Sequence, residues 1–320
     1  MDGSKHSSNH FRCGSYGYAS SPLGGVDNYD IRWCPRHRRN IPNRSSDRHE
    51  NQEFVKAGDY IRANQAAWNQ AAPFHEKSKE FVDLLDRVRQ PNYSCLDQVQ
   101  TEWLSRTAVK GRDVVHLCCN NGQELLSIER LGASNCVGID ISGEFIKQAR
   151  RLAEAGGLSS RFIECDVYEM PANLDQQFDL CILTIGVFGW MPDLDRFFKV
   201  ISRLLRPGGK LFVHEEHPIV NMFDPEGDDP FRMVSSYFKD EPFIESDIIV
   251  YDGQDQGSGP THYWFVHSLS DILSSCLSSG LKLEEFHEYP DNISSVEFDV
   301  YEDQGAQLPL SYVLVASNAE

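Results

Sequence analysis

Between Asp113 and His217 the chain alternates, almost without a break, between short apolar runs and stretches of helical period. The apolar runs are DVVHLC, CVGID, RFIECDV, FDLCILTIG and KLFVHEEH. Between them stand GQELLSIERLG, SGEFIKQARRLAEAGG and LDRFFKVISRLLRPGG, each closed by glycine, the second opened by Ser142 as an N-cap. Short apolar strands alternating with helices can bury themselves only as a parallel sheet covered on both faces, an α/β architecture. Further along, LSDILSSCLSSG (268–279) predicts a helix, while LKLEEFHEY and LPLSYVLVAS predict two closing strands joined by a loop or hairpin over 291–307.

The flanks read differently. From Tyr60, YIRANQAAWNQAA has small and apolar residues at helical spacing and is expected to stop at Pro73. FHEKSKEFVDLLDRVRQ (74–90) predicts an amphipathic helix with Phe81, Leu84, Leu85 and Val88 on one face, and LDQVQTEWLSRT (96–107) a third helix. Residues 54–110 are thus a helical N-terminal cap, and 111–320 the α/β domain. Residues 1–53, rich in Gly, Ser, Asn, Arg and His without periodicity, are expected to form a disordered tail, in which RWCPRHRR (32–39) is a solvated basic stretch. Residues 217–266 interrupt the rhythm with neither a long helix nor a clean strand set, and are expected to be an aromatic-rich lid insertion.

Composition narrows the function. No apolar run reaches eighteen residues and the N-terminus lacks an apolar signal region, so no membrane partner is expected. The nine cysteines are odd in number and scattered, several inside apolar runs, which suits free thiols in a reducing compartment; the cytoplasm is the expected address. Without paired C-x-x-C or H-x-x-x-H spacings, no metal site is expected. Net charge is −18, and residues 1–50 hold eight Lys and Arg against five Asp and Glu, so the body is more acidic still. Such a body repels phosphate backbones and disfavours a nucleic-acid partner. A homo-oligomer is compatible with the sequence.

In open parallel sheets, ligands bind beyond the carboxyl ends of the strands. The residues at those ends are suited to a nucleoside. HLCCNNGQE (116–124) follows the first strand; Asp140 ends the second, eighteen residues after Gly122, near the interval expected of an acid that holds ribose hydroxyls. Asp166-Val167 ends the third strand, and Thr184-Ile185-Gly186 the fourth.

These motifs, in this order and spacing over residues 112–218, resemble class I S-adenosylmethionine-dependent methyltransferases, in particular a small-molecule branch with a variant first motif; the likeness extends over about residues 55–317. The resemblance implies a Rossmann-like, seven-stranded, mostly parallel sheet with an antiparallel last strand. It also implies S-adenosyl-L-methionine as cofactor. The family's first motif carries an acid and three glycines; here His116 stands at the acid, Cys118 and Asn120 at the first two glycines, and Gly122 at the third. Asparagine enters left-handed backbone conformations more readily than other non-glycine residues, so Asn120 and Asn121 are expected to make the turn. His116 is expected to be a buried histidine. The expected cofactor-binding residues are Cys118, Asn120, Asn121, Gly122, Asp140, Ile141, Asp166, Val167, Thr184 and Ile185, with Trp68 and Tyr60 from the cap.

The methyl acceptor is expected beyond strands four and five. His217 leads as general base, since histidine titrates near neutrality. Alternation along the fifth strand places Glu215 on the same face and Glu216 on the other. His267, opening the helix after the insertion, is a second candidate base. The insertion's aromatic residues, from Phe223 to Phe265, favour a flat or apolar small-molecule acceptor. The expected reaction is O- or N-methylation of a small aromatic or apolar metabolite. Two alternatives stand beside it: C-methylation of an electron-rich or isoprenoid-like carbon, and a cyclase or adaptor that binds the cofactor without methyl transfer. TIGVFGW occupies the place of an Asn/Asp-Pro-Pro-Tyr-type motif, a further argument against a nucleic-acid methyltransferase.

Overall fold

A computed structural model describes residues 57–250, 257–294 and 298–319. The predicted tail over 1–53 lies outside them. Three helices come first: α1 (Ala57–Lys77), α2 (Lys79–Arg87) and α3 (Gln98–Arg106). The alternating region follows as β1 (Asp113–Leu117), α4 (Gln123–Arg130), β2 (Asn135–Asp140), α5 (Gly143–Gly156), β3 (Arg161–Glu164), β4 (Phe178–Thr184), α6 (Leu194–Leu204) and β5 (Leu205–Glu216). The chain closes with β6 (Phe243–Asp247), β7 (Ser258–Trp264), α7 (Leu269–Ser278), β8 (Leu281–Tyr289) and β9 (Ser311–Asn318).

Seven strands form one sheet in the order β3-β2-β1-β4-β5-β9-β8. All neighbours among β1–β5 pair in parallel, whereas β9 runs antiparallel to both β5 and β8. This is the Rossmann-like methyltransferase arrangement, and its strand order reverses between β1 and β4. Both faces are covered, which explains why the strands read as unbroken apolar runs. Val115 and Leu117 of β1, with Leu211 and Val213 of β5, pack against Phe197, Phe198 and Ile201 of α6 and Ile272 of α7. Val114 and Phe212 point the other way, toward Leu84, Trp103, Leu125 and Ile146 on α2–α5. Each such side chain contributes about 1.5–3 kcal/mol by leaving water.

Two expectations need correction. α1 does not stop at Pro73 but runs on to Lys77, and the predicted 74–90 helix begins only at Lys79, capped by Ser78, whose hydroxyl accepts from Phe81 N at 3.2 Å. A proline inside a helix costs about 3 kcal/mol in isolation. Tertiary contacts offset it here: Ala71 and Ala72 are wholly buried, and Gln148 of α5 donates to the Ala72 carbonyl at 2.7 Å. The insertion, in turn, contains an antiparallel pair, β6 with β7, in which Phe243 stands opposite Trp264 and Glu245 opposite His262. The β6 side chains are mostly exposed, so no core-facing alternation marked the strand in the sequence.

The β1–β2–β3 region is tightly fitted around Phe162. A Cβ on Gly138 of β2 would lie 2.6 Å from the Phe162 ring and 2.8 Å from Cys119 Sγ. We expect Gly138→Ala to lower stability by about 1–3 kcal/mol through overpacking, read from chemical denaturation midpoints. A second change, Phe162→Leu, should recover part of the loss; an unchanged midpoint for Gly138→Ala would show that the fit is loose.

Candidate active site

The reversal of strand order opens a crevice above β1 and β4, and the loops after β1, β2, β3 and β4 converge on it, with α1, the segment after β5 and the β6–β7 pair opposite. Together they wall a cavity of about 1390 Å³, larger than the roughly 300–1,000 Å³ typical of a single small-ligand site.

The loop after β1 is built on alternate left-handed residues: Cys118 (φ 54°), Asn120 (φ 49°) and Gly122 (φ 74°). These are the three positions matched to the family's glycines. Of the two asparagines, only Asn120 makes the turn; Asn121 has ordinary φ, its amide donates to Asn120 Oδ1 at 2.7 Å, and its own side chain accepts from Gln123 N at 3.3 Å. Gly122 must be glycine on a second count, because a Cβ there would sit 2.4 Å from Phe162.

Asp140 ties this loop to the next. One carboxylate oxygen accepts from Asn120 N and the other from Ser142 N, both at 2.8 Å. Burial pushes its pKa up to about 6, against the pull of those backbone N–H groups. Asp166 caps the short turn after β3, accepting from Tyr168 N at 2.9 Å. Thr184, at the end of β4, pairs with His116 Nε2 at 3.0 Å. Burial drives the His116 pKa down to about 4, so the ring is neutral, the buried histidine expected at that position.

Cys118, Asn120, Asn121, Asp140, Ile141, Asp166, Val167, Thr184, Ile185 and Trp68 all stand on the cavity wall. Gly122 and Tyr60 do not: the first turns toward Phe162, and the second packs edge-on against Tyr263 and Phe265 at 4.7 and 5.2 Å. Trp68, Trp190 and Trp264 form a chain of edge-to-face contacts, with centroids 5.1 Å apart at each step.

The three expected catalytic residues are placed elsewhere. His217 Nδ1 accepts from Ile219 N at 3.1 Å, capping the turn over Pro218–Met222, and its Nε2 faces Glu288 at 2.9 Å. His267 Nε2 meets the Met191 carbonyl at 2.8 Å. The Glu215 carboxylate is buried and accepts from the backbone N–H groups of Gly186, Phe188 and Glu216. Glu216 is the residue of this segment that lines the cavity. The alternation was read correctly, but its phase was not: Glu215 continues the Leu211–Val213 face toward the helices, which leaves Glu216 at the crevice. Burial raises the Glu216 pKa, opposed by a hydrogen bond with Ser294.

The wall's charge is lopsided. Its acids are Glu80, Glu124, Asp140, Asp166, Glu216, Asp224 and Glu245, while its lysine and arginine are Lys77 and Arg87 on α1 and α2, far in sequence from the strand-end loops. Those loops carry no basic side chain to cradle phosphate. They suit an uncharged or cationic nucleoside, and the paired loops at Asp140 and Asp166 fit one.

Known proteins agree with this geometry. Residues 115–213 match the family model described as "Methyltransferase domain". The chain is 34% identical over 106 residues to the demethylmenaquinone methyltransferase of Thermus thermophilus, a match covering 33% of this chain and 47% of that one. It is 29% identical over 140 residues to the ribosomal protein L11 methyltransferase of Photobacterium profundum, covering 44% and 42%. The chain therefore spans less than half the length of either relative. Among solved structures, a Listeria monocytogenes protein assigned to the S-adenosylmethionine-dependent methyltransferases aligns with a TM-score of 0.50 at 16% identity, over 70% of this chain and all of that one, a likeness of fold. Residues 115–213 thus match a methyltransferase domain, and they lie within a Rossmann-like, mostly parallel sheet.

Glu215 makes the domain sensitive to pH. Burial, then the neighbouring Glu216, lifts its pKa from 4.5 to about 8 in the folded state. Between those values the unfolded chain ionises while the folded one keeps its proton, so folding is progressively disfavoured as pH rises through the window. We expect Glu215→Gln to remove a slope of about 1 kcal/mol per pH unit, measured as the difference in urea midpoints between the two proteins from pH 5 to 8. Parallel pH profiles would mean that Glu215 is already ionised when folded.

Proposed function

We propose that this protein is an S-adenosylmethionine-dependent methyltransferase acting on a small aromatic or apolar metabolite at oxygen or nitrogen. The observation that carries the reading is the convergence of four strand-end segments on one cavity with room for two ligands. When bound, the cofactor supplies an electrophilic methyl group on a sulfonium. Asp140 would hold the ribose hydroxyls and Asp166 the adenine amino group, with Ile141 and Val167 beside the base. The 118–122 loop would hold the methionine part. The acidic wall favours a ligand that bears a sulfonium and an ammonium.

The acceptor lies against Trp190 and Trp264, and Glu216 takes the proton that the nucleophile releases. Its carboxyl, hydrogen-bonded to Ser294 at the cavity wall, is placed to receive that proton. His217 and Glu215 support this residue indirectly by fixing the backbone on either side. The tryptophan chain also suits C-methylation, in which aromatic faces shield a developing cation. The seven described cysteines are all free thiols, which supports a reducing, cytoplasmic setting.

Calorimetry with S-adenosylhomocysteine tests the cofactor assignment. Asp140→Asn should weaken binding by ten- to a hundredfold, the worth of charge-assisted hydrogen bonds of about 1.5–3 kcal/mol; absence of binding to the unmodified protein would end the proposal. Glu216→Gln should leave that affinity intact and lower methyl transfer by about 10²–10⁴-fold. That second arm is followed as a 14-dalton mass increase of an acceptor found by screening small aromatic amines and phenols, and cofactor binding without any methylated product would favour the non-transferring reading.

A further inference from the structure

The β6–β7 pair brings three ligating side chains to one point at the lip of the cavity. Glu245 and His262 face each other directly across the pair, and Asp247 follows two residues along β6. His262 Nε2 lies 3.2 Å from Glu245 Oε2 and 3.9 Å from Asp247 Oδ1, and all three donor atoms fall within 4.8 Å of one another. A tetrahedral cation with bonds of about 2.0–2.2 Å sets its ligand atoms about 3.4 Å apart, a value between the two distances from His262 Nε2.

The arrangement is more than an acidic surface patch. His262 is 2% exposed, although both carboxylates beside it are open to solvent. Its Nδ1 faces the Pro260 carbonyl at 3.4 Å. With Nδ1–H directed there, Nε2 points at two carboxylates, which attract whatever positive charge stands between them, the proton of the ring or a metal cation. A metal-bound histidine is oriented in the same way, its second nitrogen donating to a backbone carbonyl. Among the described residues no lysine or arginine pairs with Glu245 or Asp247. The platform is fixed, because Asn64 of α1 bonds both the N–H and the carbonyl of Tyr263, at 2.8 and 3.0 Å. The His262 ring lies 5.9 Å from that of Trp190, and Glu245 is itself part of the cavity wall.

We propose that Glu245, Asp247 and His262 bind a divalent cation of the zinc or manganese type, with a coordination position open to the cavity for an oxygen of the acceptor. A set of one imidazole and two carboxylates selects such metals over copper(I), which prefers thiolates, and over magnesium and calcium, which prefer oxygen alone. This site goes beyond methyl transfer and stands or falls without it, since its test reads the metal.

The full-length protein, stripped with EDTA, is titrated calorimetrically with Zn²⁺ and with Mn²⁺ beside the Glu245→Gln/Asp247→Asn double variant. Both changes are isosteric and at exposed positions, so the fold is expected to persist, checked by circular dichroism. The unmodified protein should bind one equivalent more than the variant, or bind that equivalent at least tenfold more tightly for each ligand lost. Comparison with the variant cancels any metal taken up by cysteines or by histidines elsewhere. In addition, Mn²⁺ should broaden the indole N–H signals of Trp190 and Trp264 in the unmodified protein only. Identical titrations for the two proteins, or broadening that persists in the variant, would overturn the proposal.

Discussion

The carboxylate of Asp140 holds the two halves of the cofactor crevice in one geometry. It accepts from Asn120 N on one side and Ser142 N on the other, so the loop after β1 and the start of α5 hang on the same group. The pairing of Leu117 with Ile139 brings the two strand ends level, which makes this double contact possible. A substitution at Asp140 therefore loosens both segments at once.

From that tie follows the conformation of the first loop. For Asn120 N to reach Asp140, the backbone must reverse direction within the five residues from Cys118 to Gly122, and it does so by placing every second residue in the left-handed region. Only Gly122 is forced to be glycine by its surroundings, because Phe162 fills the space a Cβ would need. Asn120 tolerates the conformation by its nature. Cys118 does not share that tolerance, and its left-handed φ is a local cost that the loop carries at the cavity wall. Two non-glycine residues thus hold left-handed positions in this turn because φ, rather than residue type, is the constraint.

The sheet was legible because the central strands β1, β2, β4 and β5 are largely buried on both faces and so read as mostly apolar runs. The strand-end acids were legible for the same reason: an Asp at the end of an apolar run, as at positions 140 and 166, can only face the crevice or solvent. What could not be read were phases and partners. Whether Glu215 or Glu216 faces the cavity depends on where β5 enters the sheet, and Leu205 to Gly209 form an irregular start, with a register shift opposite Phe178–Leu180, that hides that phase in the sequence. The course of α1 past Pro73 rests on Ala71, Ala72 and Gln148, contacts between residues more than seventy positions apart. The Glu245–Asp247–His262 cluster was invisible because its three members meet only through the pairing of β6 with β7, whose exposed face gave no period to detect.

The lid and the crevice are joined through Trp264. Its indole N–H donates to Asn221 Oδ1 at 3.0 Å, and its ring lies over Gly189, where a Cβ would fall 2.3 Å away. Phe265 N, next along the chain, donates to the Gly189 carbonyl at 2.7 Å. The turn after β4, the turn after β5 and the end of β7 therefore share one aromatic ring, and none can shift without the others. A wall assembled in this way from three separate segments presents a rigid apolar face, while carboxylates from the loops after β2, β3 and β5 surround its edges. The cavity therefore combines an apolar floor with a negative potential. Carboxylates at those edges disfavour an anionic ligand over a neutral or cationic one, and a bound cation at the lip would locally reverse that preference.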